Sequence, residues 1–113
     1  MKIVFMGSPE FSIPSLKKLI ETYGVEAVFT QPPKAAGRGM KLRKSQVQIF
    51  SEKHKIKVFH PNNLRDNKIV QKIKNIKPDF LIVVAYGLIL PKTILKIPKF
   101  APINGHASLL PKW

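Results

Sequence analysis

The sequence has no cysteine, and it has only six acidic residues against twenty Lys and Arg. The missing cysteine excludes disulfides and thiolate metal sites, and it permits a reducing compartment. The apolar run at the start, from Ile3 to Met6, is four residues long and stops at Gly7. A secretory signal needs about 7–15 apolar residues and a membrane span about 20. We therefore expect a cytoplasmic protein with no membrane partner and no metal.

The bulk composition is that of one globular domain, with 113 residues that are 44% hydrophobic and 23% charged. The net charge is +14, and the segment from Lys34 to Lys77 holds thirteen basic residues and two acids, which is +11 of that total. Such an excess indicates a polyanionic partner such as nucleic acid. An alternative stays open, because seventeen of the twenty bases are Lys, and coding bias in an AT-rich genome could produce that pattern.

Apolar patterning predicts an α/β fold. Lys2 to Met6 is predicted to be a buried strand, and helical spacing of apolar residues follows it as far as Gly24. Val25 to Phe29 is predicted to be a second strand, so the chain begins as β-α-β. The run from Phe80 to Val84 has no polar alternation, which is typical of a central parallel strand. The expected architecture is a doubly wound, mostly parallel, Rossmann-like sheet that binds ligands beyond the carboxyl ends of its strands.

The remaining elements are predicted from turn and cap residues. They are a long irregular loop over Thr30 to Lys44, a helix over Ser45 to His54, a strand over Ile56 to Phe59, a helix capped by Asn62 or Asn63 and running to about Ile76, a helical segment from Pro91 to Leu95, and a strand from Ala101 to His106.

A dinucleotide site in the first turn is disfavoured. The fingerprint of such sites needs three glycines spaced as GxGxxG. Here Gly7 is followed by Ser8, Pro9 and Glu10. Proline removes an amide donor, and Glu10 would bring a negative charge to the phosphates.

Asn104 and His106 are the candidate catalytic pair. Residues two apart on a strand face the same side, so both side chains would project together. An amide donor beside an imidazole suits acyl transfer, in which an oxyanion must be stabilised. On spacing alone, the alternative that both side chains only satisfy backbone groups at a strand end is favoured.

The stretch from Asn104 through His106 and Ser108 to Pro111 resembles the signature of the folate-dependent formyltransferases. Three further stretches are similar to methionyl-tRNA formyltransferases in particular. They are Gly7 to Phe11, Gln31-Pro32 through Gly37-Arg38-Gly39, and Val84 to Lys92. The resemblance covers the whole chain, in the order of the family, and it reverses the preference at Asn104 and His106.

The resemblance implies transfer of a formyl group from 10-formyltetrahydrofolate, the cosubstrate, to the methionyl amine of initiator tRNA, without a metal. It assigns Asn104 and His106 to catalysis at the formyl carbon. It assigns folate binding to Tyr86, Gly87, Leu88, Ile89 and Leu90 together with Ser108, Leu109, Leu110 and Pro111. It assigns contact with the tRNA acceptor arm to Lys34, Arg38, Lys41, Arg43 and Lys44, for which a merely solvated basic loop is the alternative.

The sequence also departs from the family. Gly105 stands between the catalytic pair where a β-branched residue is usual, and Trp113 ends the chain before the last glycine of the signature. We therefore expect residues 1–113 to be the N-terminal part of a catalytic domain, incomplete at the C-terminus and inactive alone. The catalytic aspartate and the C-terminal tRNA-binding domain would be absent, with a complementing polypeptide possible. Two alternatives stay open, which are another folate-dependent formyltransferase or formylfolate hydrolase, and a non-catalytic basic remnant that binds RNA weakly.

Overall fold

A computed structural model describes residues 1–37, 39 and 41–105. Five parallel strands form a single sheet in the order β5-β2-β1-β6-β7, and a separate two-stranded hairpin pairs β3 with β4. The elements are β1 (Ile3–Gly7), a 3-10 turn (Glu10–Ser12), α1 (Ile13–Thr22), β2 (Ala27–Phe29), β3 (Lys34–Ala36), β4 (Lys41–Arg43), α2 (Gln46–Lys53), β5 (Lys57–Phe59), α3 (Asn67–Ile76), β6 (Phe80–Val84), α4 (Lys92–Leu95) and β7 (Ala101–Asn104).

The sheet is covered on both faces, which confirms the predicted doubly wound architecture. On one face, Phe5 and Ile82 pack with Leu16 of α1 and Val47 of α2. On the other face, the core includes Met6, Leu81, Ile73 of α3 and Ile94 of α4. The two central strands need this cover because they carry apolar side chains on both sides. Among the described residues, no helix is long and apolar enough to cross a membrane.

Local capping explains where the helices begin. Ser45 caps α2 by accepting a hydrogen bond from the Gln48 amide at 3.0 Å, so the helix begins one residue after its predicted start. The cap of α3 is Asp66, which accepts from the Lys68 amide at 2.8 Å. The prediction of Asn62 or Asn63 at this cap was wrong. Asn63 instead accepts from the Arg65 amide at 3.0 Å, because a short polar side chain often closes a turn two residues on.

The predicted irregular loop over residues 30–44 contains a β-hairpin. Lys34 pairs with Arg43 and Ala36 with Lys41 across the two strands. Gly37 and Gly39 allow the turn between β3 and β4, because their φ angles of +71° and +81° lie in the left-handed region that favours glycine. The strands are only three residues long, which is too short for the alternation over about 4–8 residues that identifies a half-buried strand from sequence.

Candidate functional site

The carboxyl ends of the parallel strands define a crevice. The chain leaves β1 toward β2 on one side, whereas β6 lies on the other side of β1, so strand order reverses between β1 and β6. Ligands of open α/β sheets bind at such a switch point. Gly7 ends β1 directly beside Val84, the last residue of β6. Ser8 and Ala85 therefore begin the loops that line the crevice.

Asn104 lies at the same edge, on the adjacent strand. It pairs with Val83 of β6 in the sheet register, and its side chain is exposed. Val83 belongs to the core that α3 and α4 cover, so the strand alternation places Asn104 on that face of the sheet. The Gly105 amide donates to the Val83 carbonyl at 2.7 Å. This bond holds the backbone after Asn104, even though Gly105 lacks the β-branched side chain expected there.

The segment after β6 alternates between buried and exposed side chains. Tyr86, Leu88 and Leu90 pack against the core on the face of α3 and α4. Ile89 points away and is 91% exposed. Leu88 and Leu90 therefore serve at least in core packing. The segment begins at Ala85, whose φ of +50° lies in the left-handed region that alanine rarely adopts.

Two hydroxyl groups near the crevice are buried. Within the described part of the chain, neither the Ser8 Oγ nor the Tyr86 hydroxyl has a hydrogen-bond partner. Burial raises the pKa of Tyr86 to about 12, so its hydroxyl stays protonated and can donate. Buried polar atoms of this kind normally have a partner. Ser8 was not predicted as a site residue, because nothing in the sequence distinguishes it from an ordinary turn serine.

The β3–β4 hairpin presents its charges on one face. The side chains of Lys34, Lys41 and Arg43 project to the same side of the two-stranded ribbon, since cross-strand partners share a face. All three residues are exposed. The other face carries Ala35 and Leu42, and Leu42 is 73% exposed. The hairpin thus separates a cationic face from a small apolar one.

The base of the hairpin is fixed to the sheet and to α2. The hydroxyls of Thr30 and Ser45 lie 2.9 Å apart in a buried hydrogen bond that joins the two ends of the segment. Just beyond, Lys44 makes an ion pair with Glu52 at 2.9 Å. The hydrogen bond from Lys44 is the main reason that the pKa of Glu52 lies below its ordinary value. Lys44 therefore has a carboxylate partner within the protein, although its side chain is 52% exposed.

Several predicted site residues lie outside the described part of the chain. These are His106, Ser108, Leu109, Leu110, Pro111 and Arg38. The structure thus brings Asn104 and the segment from Tyr86 to Leu90 to one edge and one face of the sheet. The predicted hairpin cations lie after the neighbouring strand β2.

Known proteins resemble the whole chain. The Formyl transferase family matches residues 1–113. A methionyl-tRNA formyltransferase from Clostridium novyi is 57% identical over 114 aligned residues, and one from Alkaliphilus oremlandii is 51% identical. Each alignment covers all of this chain and 37% of the relative. The chain therefore spans somewhat more than a third of the length of these relatives.

A solved structure supports the fold independently of close sequence similarity. The phosphoribosylglycinamide formyltransferase of Streptococcus pneumoniae TIGR4 superimposes with a TM-score of 0.65 at 15% identity, over 91% of this chain and 54% of that one. The open parallel sheet and its carboxyl-edge crevice define a Rossmann-like α/β protein. Within that class, the chain belongs to the formyl transferase family.

Proposed function

We propose that this chain supplies the formyl-donor half of an enzyme that transfers a formyl group from 10-formyltetrahydrofolate to the methionyl amine of initiator tRNA. The observation that carries the proposal is identity of 50–57% along the full chain with methionyl-tRNA formyltransferases. Residues 1–113 would be the N-terminal part of the catalytic domain. A further C-terminal region would complete it and add contacts to tRNA.

The crevice has features that fit a reduced folate. The cosubstrate would supply a formyl group attached to nitrogen. The Tyr86 ring, Leu88 and Leu90 offer an apolar wall, and the protonated Tyr86 hydroxyl near it is a donor with no partner among the described residues. A flat ring system with polar edges suits such a lining, because small-molecule sites are mostly apolar with few polar groups. We assign folate binding to residues 86–90 and to Ser108 through Pro111.

Asn104 would act at the reacting carbon. Its amide N–H would donate to the formyl oxygen, on which negative charge develops as the amine attacks. His106, two residues on, would stabilise the same charge or move a proton. The attacking α-amine needs little activation, since its reference pKa of about 7.7–8.0 leaves part of it neutral near pH 7. Catalysis thus depends mainly on electrostatic stabilisation rather than on a strong base.

A chimera tests the catalytic proposal. Residues 1–113 replace the matching 37% of the Clostridium novyi relative, and formylation of methionyl-tRNA is measured. We expect activity, and we expect Asn104→Ala to lower kcat by about 100- to 1000-fold, the usual effect of losing one oxyanion donor. Asn75→Ala, at an exposed asparagine near the end of α3 and thus at the opposite edge of the sheet, is the control and should leave kcat unchanged. A folded but inactive parent chimera would refute the proposal, as would an Asn104→Ala variant with full activity.

The hairpin is proposed to contact the tRNA acceptor arm through Lys34, Arg38, Lys41 and Arg43, with Lys44 fixing its base. Phosphate contacts are salt-dependent, and each one contributes about 0.9 to the slope of log K against log salt on a duplex. We expect Lys34→Ala with Lys41→Ala in the chimera to weaken tRNA binding and reduce that slope by about two. The control is Lys17→Ala with Lys18→Ala, two exposed cations of α1. Equal losses in both variants would show that only net charge matters.

The alternative is another folate-dependent formyltransferase with a different acceptor. A phosphoribosylglycinamide formyltransferase shares the fold. At 15% identity this likeness concerns the fold alone. Formylation of a small amine by the chimera, with no activity on methionyl-tRNA, would establish that alternative. RNA binding by a folded chimera that binds no folate would instead identify a non-catalytic basic protein.

A further inference from the structure

A groove of about 550 Å³ lies between α3 and α4. Its lining residues are Lys74, Lys77, Pro78, Thr93, Lys96, Ile97 and Lys99. Lys77 and Pro78 lie within three residues of the start of β6, and Lys99 lies two residues before the start of β7. The groove therefore opens at the amino edge of the sheet, opposite the crevice that contains Asn104.

Four of the seven lining residues are lysines. They come from the end of α3, from the end of α4 and from the loop before β7, so three separate segments contribute ammonium groups to one depression. The four lysine side chains are exposed, whereas Pro78 is buried and Ile97 is half-buried. The groove thus has an apolar floor and a cationic rim, with the Thr93 hydroxyl as an additional hydrogen-bonding group.

Among the residues that the structure describes, no carboxylate lines the groove. The nearest acid along the chain, Asp79, accepts a hydrogen bond from the Lys2 amide at 2.7 Å. Within residues 1–37, 39 and 41–105, the only recorded ion pair joins Lys44 to Glu52. The favourable interaction of cations with helix C-termini accounts for Lys74 and Lys96. Lys99 follows no helix end within two residues, and its ammonium lies 5.2 Å from the centre of the Phe100 ring.

We propose that this groove is a second anion site, which binds phosphate groups carried either by an RNA backbone or by a free oligophosphate. Phosphate suits the site because ammonium groups bind it as point charges from several directions. The backbone at Lys99 is fixed by donation to the Pro78 carbonyl at 2.9 Å, so the rim is partly organised before any ligand arrives. The proposal goes beyond formyl transfer, since nothing in that reaction requires this edge of the sheet.

The test uses residue-resolved NMR of the 113-residue chain with two probes, inorganic tripolyphosphate and a 12-nucleotide single-stranded RNA. We expect saturable shifts at Lys77, Lys96 and Ile97 with at least one probe. Shifts with both probes, or with RNA alone, identify a backbone-binding site. Shifts with tripolyphosphate alone identify a site for small oligophosphates. The absence of shifts at these residues with either probe overturns the proposal.

A pair of charge-matched variants isolates the groove. Lys77→Glu with Lys96→Glu should weaken binding at the groove at least about tenfold and lower the single-strand salt slope by about 1.4, which is about 0.7 per phosphate contact. Lys17→Glu with Lys18→Glu changes the net charge equally on the opposite face of the sheet and should alter the affinity less than about twofold. Equal weakening by both pairs would refute a localised site.

A third variant separates this result from the proposed contact with tRNA. Lys34→Glu with Lys41→Glu removes cations from the hairpin face and should leave the groove shifts intact. If the groove shifts vanish in this variant, the phosphate is bound at the hairpin and the groove proposal fails. Circular dichroism of each variant checks that the fold is retained.

Discussion

The Ser45 hydroxyl is predicted to contribute more to stability than any single surface contact of this protein. It accepts from the Gln48 amide at 3.0 Å as the cap of α2, and it bonds the Thr30 hydroxyl at 2.9 Å. Ser45→Ala removes a helix cap, which costs about 1 kcal/mol. It also leaves the fully buried Thr30 hydroxyl without this partner, which costs about 1–3 kcal/mol. We therefore expect a loss of about 2–4 kcal/mol in the free energy of unfolding.

Urea unfolding followed by circular dichroism measures this loss, and Ser15→Ala is the matched control. Ser15 and Ser45 are both 6% exposed. The Ser15 hydroxyl has no partner among the described residues, so its removal should be neutral or slightly stabilising. Thr30→Val completes a double-mutant cycle, in which the double variant should lose about 1 kcal/mol less than the sum of the two single losses. A Ser45→Ala loss below about 0.5 kcal/mol, or full additivity, would refute the reasoning.

Three further predictions concern glycine, lysine and glutamate positions. Gly7→Ala should destabilise by about 1–3 kcal/mol, because a Cβ there would lie 2.7 Å from the Phe5 ring and 2.9 Å from the Val84 carbonyl. Gly87→Ala, which would meet nothing within 4 Å, should change thermal stability little. Lys55→Gly should stabilise the fold by about 0.4–1 kcal/mol, because Lys55 follows α2 with a φ of +59°. Lys53→Gly, within α2, should destabilise the fold by about as much. Urea melts measure both changes. The pKa of Glu52 is lowered in the folded state. Its contribution to the free energy of unfolding is therefore present above the ordinary glutamate pKa, and it is lost as the pH falls through the pKa of the folded state. An NMR titration should show that pKa rising toward normal in Lys44→Ala, and an unchanged value would contradict the ion pair.

The central strands of the sheet were predicted more accurately from the sequence than the hairpin and the cap of α3. The strand from Phe80 to Val84 was predicted at its observed bounds, because an unbroken apolar run of that length leaves few alternatives to a central strand. The hairpin was missed because its strands are only three residues long and β4 is exposed at all three positions. The cap of α3 was misplaced because Asn62, Asn63 and Asp66 all precede the helix closely, and each residue type is a good cap.

The candidate site was predicted only in part, for a physical reason. The positions of Asn104 and Tyr86 at one sheet edge follow from parallel strand topology, which apolar patterning indicates. The buried Ser8 hydroxyl and the amino-edge groove arise from packing between segments distant in sequence. No local pattern reports such packing. The roles of Asn104, His106 and the folate-binding residues remain predictions that the chimera tests.

Thr30 links the two proposed functions of the carboxyl edge. It follows β2 directly, its amide donates to the Phe59 carbonyl of β5 at 3.0 Å, and its hydroxyl bonds Ser45 at the far end of the hairpin segment. A hairpin held at its base by β2 and β5 keeps a fixed position relative to the crevice, because both lie at the carboxyl edge of one sheet. RNA bound at Lys34 or Arg43 would then be positioned relative to Asn104 without any contact between the hairpin and Asn104. Loosening the base should therefore impair productive orientation of tRNA more than folate binding, since the folate wall rests on β6 instead.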